Sequence, residues 1–129
     1  MIETGYMRVD YDFLPEDQAK YYEPISEQTL YLSKLRLHEV FEHINEKFYK
    51  EFFISYNDLL VELGGKPSNK LRKYGWSFEN ESQDYCWSYF SPAWIRPQYY
   101  VNKASGELMI IFEVEPEPIE ELKHERRSL

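Results

Sequence analysis

A small α+β domain is what this sequence predicts, with one long and one short helix packed on an antiparallel sheet of three or four strands that ends in a β-hairpin. Three patterns carry that prediction. Leu30, Leu37, Val40, Phe41, Ile44 and Phe48 share one helical face between about Glu27 and Lys50, with Lys and Glu filling the other positions. Ser55 and Asp58 form a helix start, Tyr56, Leu59, Leu60 and Leu63 make its apolar face, and Gly64-Gly65 stops it. Gln98 to Val101 and Glu107 to Val114 flank the Asn102-Lys103-Ala104-Ser105-Gly106 turn as a hairpin.

Taken in chain order, Met7 to Phe13 alternates apolar and polar residues, so residues 1–25 read as a strand or an extended arm closed by Pro15. Residues 26–75 are the helical half. The start of its long helix is ambiguous, because Leu30, Leu32, Leu35 and Leu37 also read as edge-strand alternation. Beyond the loop at Pro67, a turn of helix fits Asn69 to Lys73. Residues 76–116 form the β half, in which a polar stretch from Glu79 to Asp84 precedes the aromatic strand Tyr85 to Phe90. Leu108, Ile110, Phe112 and Val114 face one way and Met109 and Ile111 the other, which marks the last strand as central in its sheet. Glu115-Pro116-Glu117-Pro118 should end the ladder, and residues 117–129 read as a charged tail whose part from Ile119 to Leu129 is a short or frayed helix.

At 129 residues, with 43% hydrophobic and 18% aromatic content, the chain holds one domain with a core of its own. Cys86 is the single cysteine, which excludes an internal disulfide and fits a reducing compartment. With no signal-like N-terminus and no apolar run near ~20 residues, a cytoplasmic location in a bacterial host is expected, without a membrane. The net charge of −8 divides into −5 over residues 1–27, 0 over 28–102 and −3 over 103–129. An acidic chain repels a phosphate backbone, so basic proteins are the favoured partners and nucleic acid is disfavoured.

Ser55-x-x-Asp58-Leu59-x-x-Glu62-Leu63-Gly64, then Gly75-Trp76, then an aromatic strand and Gly106 to Val114, resembles a small uncharacterised family carried by phages, prophages and integrative elements of Gram-positive bacteria. The resemblance covers Phe53 to Pro116. It implies a helical N-terminal half joined to a module of short helix, Gly-Trp and β-hairpin, and brings no activity and no catalytic residue. Residues 1–25 have no counterpart in it, and the segment from Trp87 to Pro97 is longer and more aromatic than the pattern.

Four clusters hold the chemistry-bearing residues. His38 and His43 are five apart, roughly 140° around a helix, so they do not chelate together, and i, i+4 pairs of His38 with Glu42 and Glu39 with His43 are expected instead. Cys86 has no neighbouring base and reads as a small apolar strand residue. No catalytic residue, metal site or cofactor is therefore expected. Lys66, Lys70, Arg72 and Lys73 follow a helix and a glycine turn, which permits a degenerate helix-turn-helix contacting DNA, or a solvated basic loop. Trp87, Tyr89, Trp94, Arg96, Tyr99 and Tyr100 make an aromatic patch in which part of the rings build core and part offer an interface. Asp10, Asp12, Glu16 and Asp17 at one end and Glu113, Glu115, Glu117, Glu120 and Glu121 at the other frame it with acid. The expectation is a non-enzymatic accessory protein of a phage or mobile element that binds a host or phage protein, as an acidic inhibitor of a host or defence protein. A virion or assembly component, with homo-oligomers possible, and a DNA-binding regulator are the alternatives.

Overall fold

The computed structural model describes residues 5–80, 83, 95–120 and 122. The α+β class is as expected, and the described elements form two sheets. The first has five strands in the order β1 (Tyr6–Val9), β6 (Pro97–Asn102), β7 (Leu108–Phe112), β2 (Ala19–Glu23) and β3 (Gln28–Leu32). The second has three, β4 (Phe53–Ser55), β5 (Tyr74–Ser77) and β8 (Glu117–Pro118). Helices α1 (Lys34–Glu51) and α2 (Tyr56–Glu62) pack between and against them. All described strand pairs are antiparallel except β2 with β7, which makes the larger sheet mixed.

The long helix starts at Lys34, not Glu27, and the edge-strand reading of residues 28–32 is the one that holds. Ser33 fixes the start, since its side chain accepts the Arg36 backbone N–H at 3.1 Å. Upstream, β2 and β3 form a hairpin whose turn carries Glu27 at φ 57. Pairing buries Leu30 and Leu32 against the core while Thr29 and Tyr31 face out, an alternation no helix could satisfy. Downstream, Leu37, Val40, Phe41, Ile44 and Phe48 of α1 are buried, as the periodicity predicts.

The short helix follows its sequence signals. The Ser55 side chain accepts the Asp58 backbone N–H at 3.0 Å, Tyr56, Leu59, Leu60 and Leu63 are buried, and Gly64 ends the element at φ 88. The hairpin also forms, as β6 and β7, and β7 lies third of five strands. Two expectations need correction. The sheet of three or four strands becomes a five-stranded and a three-stranded sheet, and Glu117–Pro118 pairs with Tyr74 and Gly75 instead of ending the ladder. Pro118 is tolerated because, among the described residues, β8 is an edge strand with a neighbour on one side, where a missing N–H costs nothing. The aromatic strand Tyr85 to Phe90 and most of the C-terminal tail lie outside the described residues, although Ile119 and Leu122 are buried.

Both sheets share one core. Phe112 at the end of β7 meets Phe41, Tyr56 and Trp76, with ring centroids 6.3, 6.1 and 5.5 Å away. Trp76 is fully buried, and its indole N–H donates to the Val114 carbonyl at 2.7 Å, tying the small sheet to the exit of β7. Gln83 strengthens that junction: its carbonyl accepts the Ser77 N–H, and its amide donates to the Gly75 and Glu115 carbonyls.

Candidate functional site

Between α1 and the start of β6 runs an open trough of about 670 Å³, walled by Leu37, Phe41, Ile95, Pro97, Tyr99 and Tyr11. Two side-chain clamps set its ends. At one end the Asn45 amide donates to the Phe41 and Ile95 carbonyls at 2.8 and 2.9 Å and accepts the Ile95 N–H at 2.6 Å. At the other the Tyr11 hydroxyl donates to the Lys34 carbonyl at 2.8 Å, while the Lys34 ammonium lies 5.2 Å from the Tyr11 ring centroid. Lys34 and Asn45 are eleven residues apart on one helix, so the trough extends over about 16 Å. Its mouth is polar, with His38 paired to Glu42 at 3.3 Å on the helix side and exposed Arg96 on the strand side.

Periodicity explains the floor and long-range geometry explains the opening. Leu37 and Phe41 belong to the apolar face of α1, and Tyr99 points at them because odd-numbered residues of β6 face the helices. Tyr99 also meets Tyr11 and Tyr21, with centroids 6.5 and 6.0 Å away. Burial pushes both the Tyr21 and Tyr99 phenols up, Tyr21 to about 12, with the neighbouring tyrosines adding to the effect, so these two stay neutral. Among the described residues the buried Tyr21 hydroxyl has no hydrogen-bond partner. Tyr21→Phe is therefore expected to raise stability by about 1 kcal/mol, read as a higher urea midpoint at unchanged m-value. A loss of stability would show that the hydroxyl is hydrogen-bonded in solution.

The expected patch lies only partly within the described residues. Trp87, Tyr89, Trp94 and Cys86 lie outside the described residues. Tyr99 is a buried trough wall, while Tyr100 faces the opposite side of the sheet, in a register row with Arg8, Met109, Tyr22 and Thr29. Asp10 and Asp12 stand beside the end of β1 on the large sheet, and Glu117 pairs in β8 on the small one just after Glu115. Lys66, Lys70 and Arg72 are exposed and Lys73 half-buried, but Asn69–Leu71 is a single 3-10 turn, too short to enter a major groove. The Gln28 side chain straps that loop down, accepting the Lys66 N–H and donating to its carbonyl. His38 pairs with Glu42 as expected, but Glu39 goes to Arg36, and His43 reaches across to Glu62 of α2. Among the described residues no group of three or more His, Cys, Asp or Glu is placed to hold a metal ion, and no helix is long and apolar enough to cross a membrane.

Tyr11 and Asn45 are the trough residues that sequence reasoning missed. An asparagine among apolar helical positions is the one signal that could have raised the question, because a half-buried amide must find partners. Compared with models of known protein families, with curated proteins and with solved structures, the chain matches none.

Proposed function

We propose that the protein acts without catalysis, by holding a protein partner along the α1–β6 trough, as an accessory of a phage or other mobile element that inhibits a host or defence protein. The observation that supports the reading is an apolar trough of about 670 Å³ with a charged rim. An open trough takes one or two apolar side chains from a partner surface, with a desolvated centre and a polar edge, as interface anchors require. Arg96 on the rim is one of the residue types enriched at such anchors. The acidic balance of −8 favours a basic partner, and the resemblance of Phe53 to Pro116 to phage-borne proteins supports the setting.

The test begins with affinity capture from the native host and continues with the purified partner in a calorimeter. His38→Trp, which fills the trough from its rim, and Arg96→Glu are each expected to weaken binding about tenfold or more. Val61→Ala, at an exposed position on α2, should leave it unchanged. Unaltered affinity in both trough variants would overturn the assignment.

A further inference from the structure

Among the described residues β1 is the terminal strand of the five-stranded sheet, and its one neighbour is β6. The Lys103 N–H donates to the Gly5 carbonyl at 2.8 Å, which fixes the phase of the ladder. Odd-numbered residues of β1 bond inward to β6, and the backbone groups of Tyr6 and Arg8 point to the open edge. Asp10 continues that phase in extended conformation, at φ −70 and ψ 145, although its carbonyl already accepts the Phe13 N–H at 2.9 Å, which leaves its N–H and carboxylate for the edge. Beside this edge lies a cavity of about 510 Å³ lined by Met7, Arg8, Val9, Asp10 and Phe13. Met7 in the strand is 52% exposed and Phe13 in the turn after it 80%, an unusual placement for large apolar side chains.

The charge order along this edge selects its occupant. Arg8-Val9-Asp10 reads positive, apolar, negative, and among the described residues neither Arg8 nor Asp10 has an ion pair. Laid antiparallel against itself the segment is self-complementary. Val9 meets Val9 on the two-fold axis, and each Arg8 stands directly opposite Asp10 of the partner subunit. The register that sets Arg8 against its own copy brings like charges together and is disfavoured.

We propose that the protein forms a symmetric dimer through β1, edge to edge with β1 of a second copy, so that one ten-stranded sheet crosses the interface. Opposite residues in an antiparallel pair share a face, so Met7 of the partner subunit falls on the side of Tyr11 and enters the cavity beside Phe13, and the reverse contact forms by symmetry. Arg8 and Asp10 discourage pairing with an unrelated strand while admitting a second copy, which is how charged edges gain specificity. A two-fold perpendicular to the sheet leaves both α1–β6 troughs on the same face, a bivalent arrangement for a partner that is itself repeated. The dimer does not depend on what the trough holds.

Sedimentation equilibrium of the full chain from about 1 μM to about 1 mM tests this. A dimer fraction that rises with concentration is expected. Arg8→Asp and Asp10→Arg should each lower association at least tenfold, and the reciprocal double variant should restore it. Both side chains are exposed, so thermal melts of all three variants should superimpose on that of the parent chain. Phe13→Ser, which removes the cavity wall without touching charge, should weaken the dimer independently. A monomer throughout the range, a dimer indifferent to Arg8→Asp, or failure of the double variant to restore association would overturn the proposal.

Discussion

Replacing Glu23 with alanine is expected to cost about 3 kcal/mol, because the carboxylate organises donors from two separate parts of the chain. Glu23 is fully buried at the end of β2. It accepts the Ile25 N–H at 2.8 Å, the Ser26 N–H at 2.9 Å and the Ser26 hydroxyl at 2.7 Å, which holds the β2–β3 turn closed. The Tyr56 hydroxyl, at the first residue of α2, donates to the same carboxylate. Alanine would leave two half-buried backbone N–H groups and the buried Tyr56 hydroxyl without these partners, and each such loss costs about 1 kcal/mol. Tyr56→Phe removes one donor and leaves the turn intact, so its cost should be a fraction of this, measured in the same urea titration.

The same carboxyl gives a pH signature. Burial pushes Glu23 above the usual carboxylate range, and its hydrogen bonds from Ser26 and Ile25 oppose that shift. A carboxyl raised in the folded state holds its proton more tightly there than in the unfolded chain. Its contribution is therefore fully present below the ordinary carboxylate value and is lost as pH rises through the raised one. Unfolding free energy of the parent chain should accordingly fall, relative to Glu23→Gln, as pH increases upward from the ordinary carboxylate value. The difference between the two curves cancels the other acidic residues. A flat difference across that window would show that the hydrogen bonds outweigh burial.

Glu23 also shows where sequence reading stops. The short helix and the hairpin were legible because each is written locally, as a cap with an apolar face and a glycine stop, or as two alternating runs about a turn. β2 was not, since Ala19-Lys20-Tyr21-Tyr22-Glu23 ends on a charged residue that looks solvent-facing until Tyr56, thirty-three positions away, comes to meet it. The start of α1 could be read two ways within its own segment, and pairing with β2 decided it. The trough was invisible for the same reason. Its walls are ordinary core positions, but its opening depends on Asn45 reaching Ile95 across fifty residues and on Tyr11 reaching Lys34 across twenty-three. Composition grouped Arg96 with Tyr99, which line the same trough, yet strand alternation sends Tyr100 to the other side of the sheet.

Gly75→Ala should be the most disruptive single-methyl change in the described part of the protein, at about 3 kcal/mol and a fall of about 10 °C in Tm. The backbone dihedral of Gly75 is not the reason, because its φ is not positive. The reason is space. A Cβ at this position would lie 2.2 Å from the Ile54 carbonyl oxygen, 3.0 Å from the Ser55 Cα and 3.2 Å from the Ile119 Cδ1. The first two neighbours are backbone atoms of β4 and of the cap of α2, so no rotamer change relieves the contact. Ser55 pairs directly with Gly75, and Glu117 pairs with it from the other side, so all three strands of the small sheet must move apart together. That displacement reaches Trp76, whose indole bond to the Val114 carbonyl joins the two sheets, and Gln83, whose amide donates to the Gly75 carbonyl. Trp76 fluorescence should therefore shift to longer wavelength in folded Gly75→Ala as the indole gains contact with water. Gly64→Ala gives the contrast: it lies at φ 88 with open space where its Cβ would go, so its penalty comes from backbone conformation alone, about 1 kcal/mol. Equal losses in the two variants would show that the small sheet yields easily and that the close approach at Gly75 does not lock it.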